Sequence, residues 1–170
     1  MALVIEDGTA KVDSQSFATV TEFRAYAAQR GATIPAVGVA GDKACEVLLI
    51  KAADYLQSIN DYLGDQRTAT QSLKWPRINV IIEWWPLAGT EIPRQLIQAQ
   101  CALAIEAQTI DLLPTLPVGG RGAVIAESVA GVVSRAYAND GQVRNVPAIA
   151  KARALLSVLR RRSGLIAVRA

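Results

Sequence analysis

The sequence contains no histidine. That removes the commonest general base and the commonest metal ligand. Ser-His and Cys-His nucleophiles are excluded, and so is any His-containing zinc site. Cysteine is scarce: Cys45 and Cys101 both fall on faces of expected helices, and they read as small buried thiols rather than a disulfide. No apolar run reaches membrane-spanning length, because charges or Gln interrupt every segment, so no membrane contact is expected. The first residues lack a basic stretch before an apolar core, so no signal peptide is expected. Acid is missing from one part of the chain. Residues 141–170 carry seven Lys and Arg and no Asp or Glu, whereas residues 1–140 carry eleven against fifteen.

The net charge of +3 therefore hides an acidic body and a basic end. Arg144, Lys151, Arg153, Arg160, Arg161, Arg162 and Arg169 are the candidates for meeting phosphates or an acidic protein surface. A solvated basic face is the plain alternative. Arg160-Arg161-Arg162 at a helix C-terminus suits the macrodipole and points three ways, so at least one of the three should face solvent or a partner. Nothing resembles a recognition helix, so phosphate contact without sequence reading is the expectation. Gly119-Gly120-Arg121-Gly122 is followed by no Lys-Ser/Thr and reads as a flexible joint, not a phosphate cradle. Glu83, Glu91, Glu106 and Asp111 make no close-spaced acid–base pair, and no cluster has metal-ligand spacing. No cofactor and no enzymatic activity are expected.

The most distinctive stretch that is present runs from Gln71 to Ile97. It holds all three tryptophans, and two of them precede proline, in Trp75-Pro76 and Trp85-Pro86. Proline biases the residue before it toward extended backbone, so both rings should be turned by a rigid joint toward a core or a neighbour. Trp75, Pro76, Arg77 and Pro93 are assigned structural roles. Trp84 and Trp85 could stack on bases beside a basic strip, but packing is the expectation for aromatics beside prolines.

Helical spacing places a first helix near 15–30, capped by Ser14 or Ser16, with Phe17, Val20, Phe23 and Ala27 on one face. Asp42 should cap a second helix over 43–60, striped by Cys45, Leu48, Leu49, Ala52, Leu56 and Ile59. Residues 78–85 are β-branched and aromatic, and read as a strand or as a loop packed on the core. Pro93 at the first helical position should open a central third helix over 92–111, apolar on nearly every side. Its glutamines, Gln95, Gln98 and Gln100, need partners if buried, between helices or between subunits. Two short strands, about 123–129 and 132–138, should form a ribbon, with Val124, Val129, Val132 and Tyr137 as subunit contacts. An isolated hairpin is marginal, so the ribbon needs a partner. Pro147 should open a last helix to about Arg162. The expected fold is mainly α: one domain over 1–170, with a helical body at 1–112, loop and ribbon at 113–141, and a basic C-terminal helix and tail at 142–170.

Four short motifs in order carry a resemblance: Val4-Ile5-Glu6-Asp7-Gly8-Thr9, Ala52-Ala53-Asp54-Tyr55-Leu56, Gln71-Ser72-Leu73-Lys74-Trp75-Pro76-Arg77 and Ile92-Pro93. This order resembles the phage proteins often labelled DnaT-like, which in turn look like head-to-tail adaptor (connector) proteins of tailed bacteriophages. Glu127–Tyr137 resembles the strand pair of such adaptors, and Ala148–Arg169 their closing helix and tail. The resemblance implies a structural virion protein. By that resemblance, copies of it would form a ring, commonly of about twelve, through a heterologous interface. The ring would dock on the portal protein, extend the channel for packaged double-stranded DNA, and meet the next neck, stopper or tail-terminator protein. It would be assembled in the host cytoplasm and located in the virion neck. The label itself implies the alternative, single-stranded DNA binding in replication restart.

Overall fold

The structure, a computed structural model, describes residues 3–113, 124–130, 132–137 and 150–161. Helix α1 (Val20–Ala28) begins where Thr19 and Glu22 form a capping box. The Thr19 hydroxyl accepts from the Glu22 N–H at 3.1 Å, and the Glu22 carboxylate accepts from the Thr19 N–H at 2.7 Å. The expected caps Ser14 and Ser16 are used elsewhere. Ser14 bonds Glu6 and Ser72, and Ser16 bonds Gln100, so the helix starts several residues later than periodicity suggests.

Helix α2 (Val39–Gln57) starts earlier than expected, at the N-cap Gly38, and Ser58 ends it. Asp42 is not the cap but a first-turn acid, paired with Arg24 at 2.6 Å. Gly41 permits this start, because a Cβ there would lie 1.8 Å from the Ala36 carbonyl oxygen. Helix α3 (Arg94–Glu106) takes Pro93 as its N-cap rather than its first residue, and it stops at Glu106 instead of 111. Beyond it the chain turns through bonds such as Thr109 N–H to Glu106 O at 3.0 Å.

Between α2 and α3 lie two minimal antiparallel pairs. β1 (Asp65–Gln66) pairs with β2 (Arg77–Ile78), and β3 (Ile81–Ile82) pairs with β4 (Trp85–Pro86). The stretch 78–85 is thus neither a single strand nor a core-packed loop, since Glu83 and Trp84 turn it back on itself. Both sit at positive φ, +48° and +75°, the pattern of a two-residue hairpin turn.

The core forms around α3, which packs on α2, α1 and α4 (Ala150–Leu156). Leu96, Ala99, Ala102, Leu103 and Ala104 of α3 are buried, as are Leu49, Ala52 and Leu56 of α2 and Phe23 of α1. Cys45 and Cys101 are free and buried, as read from their helix faces. α4 gives Ala152 and Leu156 to the core, then tightens into a 3₁₀ turn (Ser157–Leu159), so regular helix ends before Arg162.

The chain divides into two units, Met1–Leu112 with Ile149–Ala170, and Leu113–Ala148. The second contains the expected ribbon: β5 (Val124–Ala130) pairs antiparallel with β6 (Val132–Tyr137). Val124 stands opposite Tyr137, and Val129 opposite Val133, with a register shift between Val124 and Ala126. The fold is therefore mainly helical with a short β arm.

Candidate partner and nucleic-acid interface

The surface features rest on an interior in which Gln100 and Glu6 are tied down, whereas the Trp75 indole N–H and the Tyr26 hydroxyl are buried with no hydrogen-bond partner among the described residues. Gln100 is fully buried on α3. Its carbonyl oxygen accepts the N–H groups of Phe17 and Ala18 at 2.9 and 3.0 Å, and its amide donates to Ser16 Oγ and Leu49 O at 2.8 and 2.9 Å. It ties the N-terminal arm to α2 and α3 within one subunit. The Glu6 carboxylate, also buried, accepts from the N–H groups of Gly8, Ala10 and Lys11, each at 2.9 Å, and from the Ser14 hydroxyl at 3.1 Å. Sequence reasoning missed this clasp. Its only local sign is an acid placed just before the Asp7-Gly8 turn.

Trp75 is the largest buried side chain, edge-on to Tyr62 with ring centroids 6.0 Å apart. The Trp75–Pro76 peptide is cis. Gln71 braces the turn by donating to the carbonyls of Leu73 and Pro76 at 2.7 and 3.1 Å. Arg77 donates to Leu63 O and Gly64 O, each at 2.6 Å, which ties it to the loop that follows α2. Burial, then the nearby Arg161 charge, lowers its pKa, with Asp65 opposing. Lys74 donates to Ile59 O at 2.7 Å and to the Asn60 side chain.

The candidate cations of the basic end separate into three groups. Arg160 is locked: its guanidinium holds both oxygens of Asp61 at 2.6 to 2.9 Å, and the two backbones pair beside it through Arg161 N–H to Asp61 O at 2.7 Å. The hydrogen bonds from Arg160 depress the Asp61 pKa, and Asp61 raises that of Arg160. Arg160 is thus a clasp closing the chain onto residues 61–63, which corrects its assignment as a partner-facing group. Lys151, Arg153 and Arg161 are exposed, with no carboxylate partner among the described residues. Arg161 reaches only Gly64 O at 3.3 Å, and the Lys151 ammonium lies 6.0 Å from the Tyr26 ring centroid. Arg144, Arg162 and Arg169 lie outside the described residues. Val124, Val129, Val132 and Tyr137 lie on the paired strands β5 and β6.

The tip between β3 and β4 reverses the packing expected for its tryptophans. Trp84 is 94% exposed and Trp85 79%. Each strand has two residues, too short to fold the rings back onto the body.

On another surface a cleft of about 370 Å³ opens between α1 and α3, with Ala25, Tyr26, Ile92, Arg94, Ile97 and Gln98 along it. The Tyr26 hydroxyl is buried and has no hydrogen-bond partner among the described residues, while Arg30 stacks 3.6 Å over its ring. Cys101 also borders the cleft, but burial pushes its thiol up to about 12, so it stays protonated and unreactive at neutral pH. Among the described residues no group of three or more Cys, Asp or Glu is placed to hold a metal ion, and no helix is long and apolar enough to cross a membrane.

Set against known proteins, the whole chain, residues 1–170, matches the sequence model of one family, described as "Putative DnaT-like ssDNA binding protein". No curated protein and no solved structure matches.

Proposed function

The chain belongs to this DnaT-like family, and from that premise we propose that it is a non-catalytic DNA-binding protein that holds single-stranded DNA through its closing segment. One observation carries the reading. Lys151, Arg153 and Arg161 stand exposed, without a carboxylate partner among the described residues, while their neighbour Arg160 is consumed by Asp61. Cations on a segment clasped to the body suit phosphates, which need charge and reach but no base reading. The acidic balance of residues 1–140 favours a contact confined to this segment. Titration of a fluorescently labelled single strand, followed by anisotropy, tests it. The combined variant Lys151→Ala/Arg153→Ala/Arg161→Ala should bind at least about tenfold more weakly, since each lost phosphate contact removes a share of the electrostatic term. Equal binding by both proteins would refute the proposal.

The exposed Trp84 and Trp85 and the two-stranded ribbon favour a second reading, the head-to-tail adaptor. Large apolar groups left in water mark surfaces that another protein covers, and a lone hairpin gains stability from a neighbour. In this reading about twelve copies ring the portal in the virion neck, the closing cations meet the portal or the packaged duplex, and the next neck protein docks beneath. Co-sedimentation with portal rings, in place of binding to free single strands, is the outcome that would select it.

A further inference from the structure

We propose that the Trp84 tip of one copy seats in the α1–α3 cleft of a second copy, making a head-to-tail contact between two different surfaces of the same chain. This goes beyond DNA binding and does not depend on it.

The tip projects an indole almost wholly into water, with Ile81 beside it 60% exposed. Trp84 holds this position at φ +75°, where a bulky residue is an outlier, and such outliers concentrate where a protein uses the geometry they produce. The cleft is the complement. Its volume, about 370 Å³, falls in the range of pockets that take ring-sized groups. Ala25, Ile92 and Ile97 supply apolar walls.

Charge fixes the occupant as a second copy. Glu83, next to Trp84 at the tip, and Arg94, on the rim of the cleft, are both exposed and lack an ion pair among the described residues. A nucleobase would bring phosphates toward Glu83, which repels them, whereas a copy of the chain brings Arg94 to Glu83. Glu91 also lines the cleft and opposes Glu83, so its neutralisation should tighten the contact. The other acid there, Glu22, is already engaged by Thr19. Because tip and cleft are distinct surfaces, the contact is heterologous and propagates into a ring or a filament rather than stopping at a two-fold dimer.

Sedimentation velocity of the full chain across a concentration series tests this. The wild-type sedimentation coefficient should rise with concentration. Trp84→Ala, Glu83→Arg and Arg94→Glu should each weaken association at least tenfold, with unchanged circular dichroism because all three side chains are exposed. The double variant Glu83→Arg/Arg94→Glu should regain most of the wild-type association, which a general loss of fold or solubility cannot produce. Monomeric wild type at every concentration would overturn the proposal. So would association that Trp84→Ala leaves intact, failure of the charge swap to restore association, or self-association unaffected by Arg94→Glu while tryptophan fluorescence is quenched by single-stranded DNA.

Discussion

The chain contains the dipeptide Trp-Pro twice, and the two copies meet opposite fates. Trp75 is fully buried and Trp85 is 79% exposed. Around Trp75 the flanking residues close the site: Gln71 braces the turn, Tyr62 meets the ring edge-on, and Arg77 pins the loop from Leu63 to Gly64. Around Trp85 nothing comparable exists, because two-residue strands and a tight turn hold the ring away from the body. Proline sets the local backbone in both cases, but burial is decided by what the rest of the chain brings to the ring. The contrast extends to the molecule. Gln100 and Glu6 exhaust their hydrogen bonds inside, while Trp84, Lys151, Arg153 and Arg161 stand exposed.

Substitution should split the two groups by what is lost. Trp75→Ala should destabilise the fold by about 3–5 kcal/mol, whereas Trp85→Ala should change stability by less than about 0.5 kcal/mol; urea unfolding compares them directly. Equal losses would mean that Trp85 is covered in the free protein. Gln100→Ala should cost about 2–3 kcal/mol, because it strands the buried N–H of Phe17 and leaves that of Ala18 with Ser16 Oγ at 3.1 Å. Hydrogen exchange at those two amides should accelerate in the variant.

At the boundary between inside and outside sits the Asp61–Arg160 clasp. Its side chains are 42% and 36% exposed, so Arg160→Ala should cost no more than about 1 kcal/mol. Asp61 has a depressed folded pKa, so the stability it contributes is present above its unfolded value of about 4 and is lost as pH falls through the folded value. The acid limb of a stability–pH curve should therefore be shallower in Arg160→Ala than in the wild type.

Much of the helical body was legible from periodicity, since the stripes at Leu48, Leu49, Ala52 and Leu56, and at Leu96, Ala99 and Leu103, are the buried faces observed. Helix ends were less legible. Thr19 and Gly38 start the helices for which Ser14 or Ser16 and Asp42 are the caps expected from sequence, and long-range hydrogen bonds take the serines elsewhere. The candidate site was the least legible part. The Arg160–Asp61 contact spans 99 residues and Gln100 to Phe17 spans 83, and no local pattern encodes either. The exposed tip was masked by its composition, because Trp, Ile and Pro read as core until the turn at Glu83 and Trp84 is known.

The claim that closing-segment cations hold DNA is tested most directly by the salt dependence of single-strand binding. Three phosphate contacts predict that the slope of log affinity against log salt differs by about 2 between the wild type and Lys151→Ala/Arg153→Ala/Arg161→Ala. The account predicts that loss of slope together with the loss of affinity. Identical slopes for the two proteins, or no measurable single-strand binding by the wild type at low salt, would contradict it.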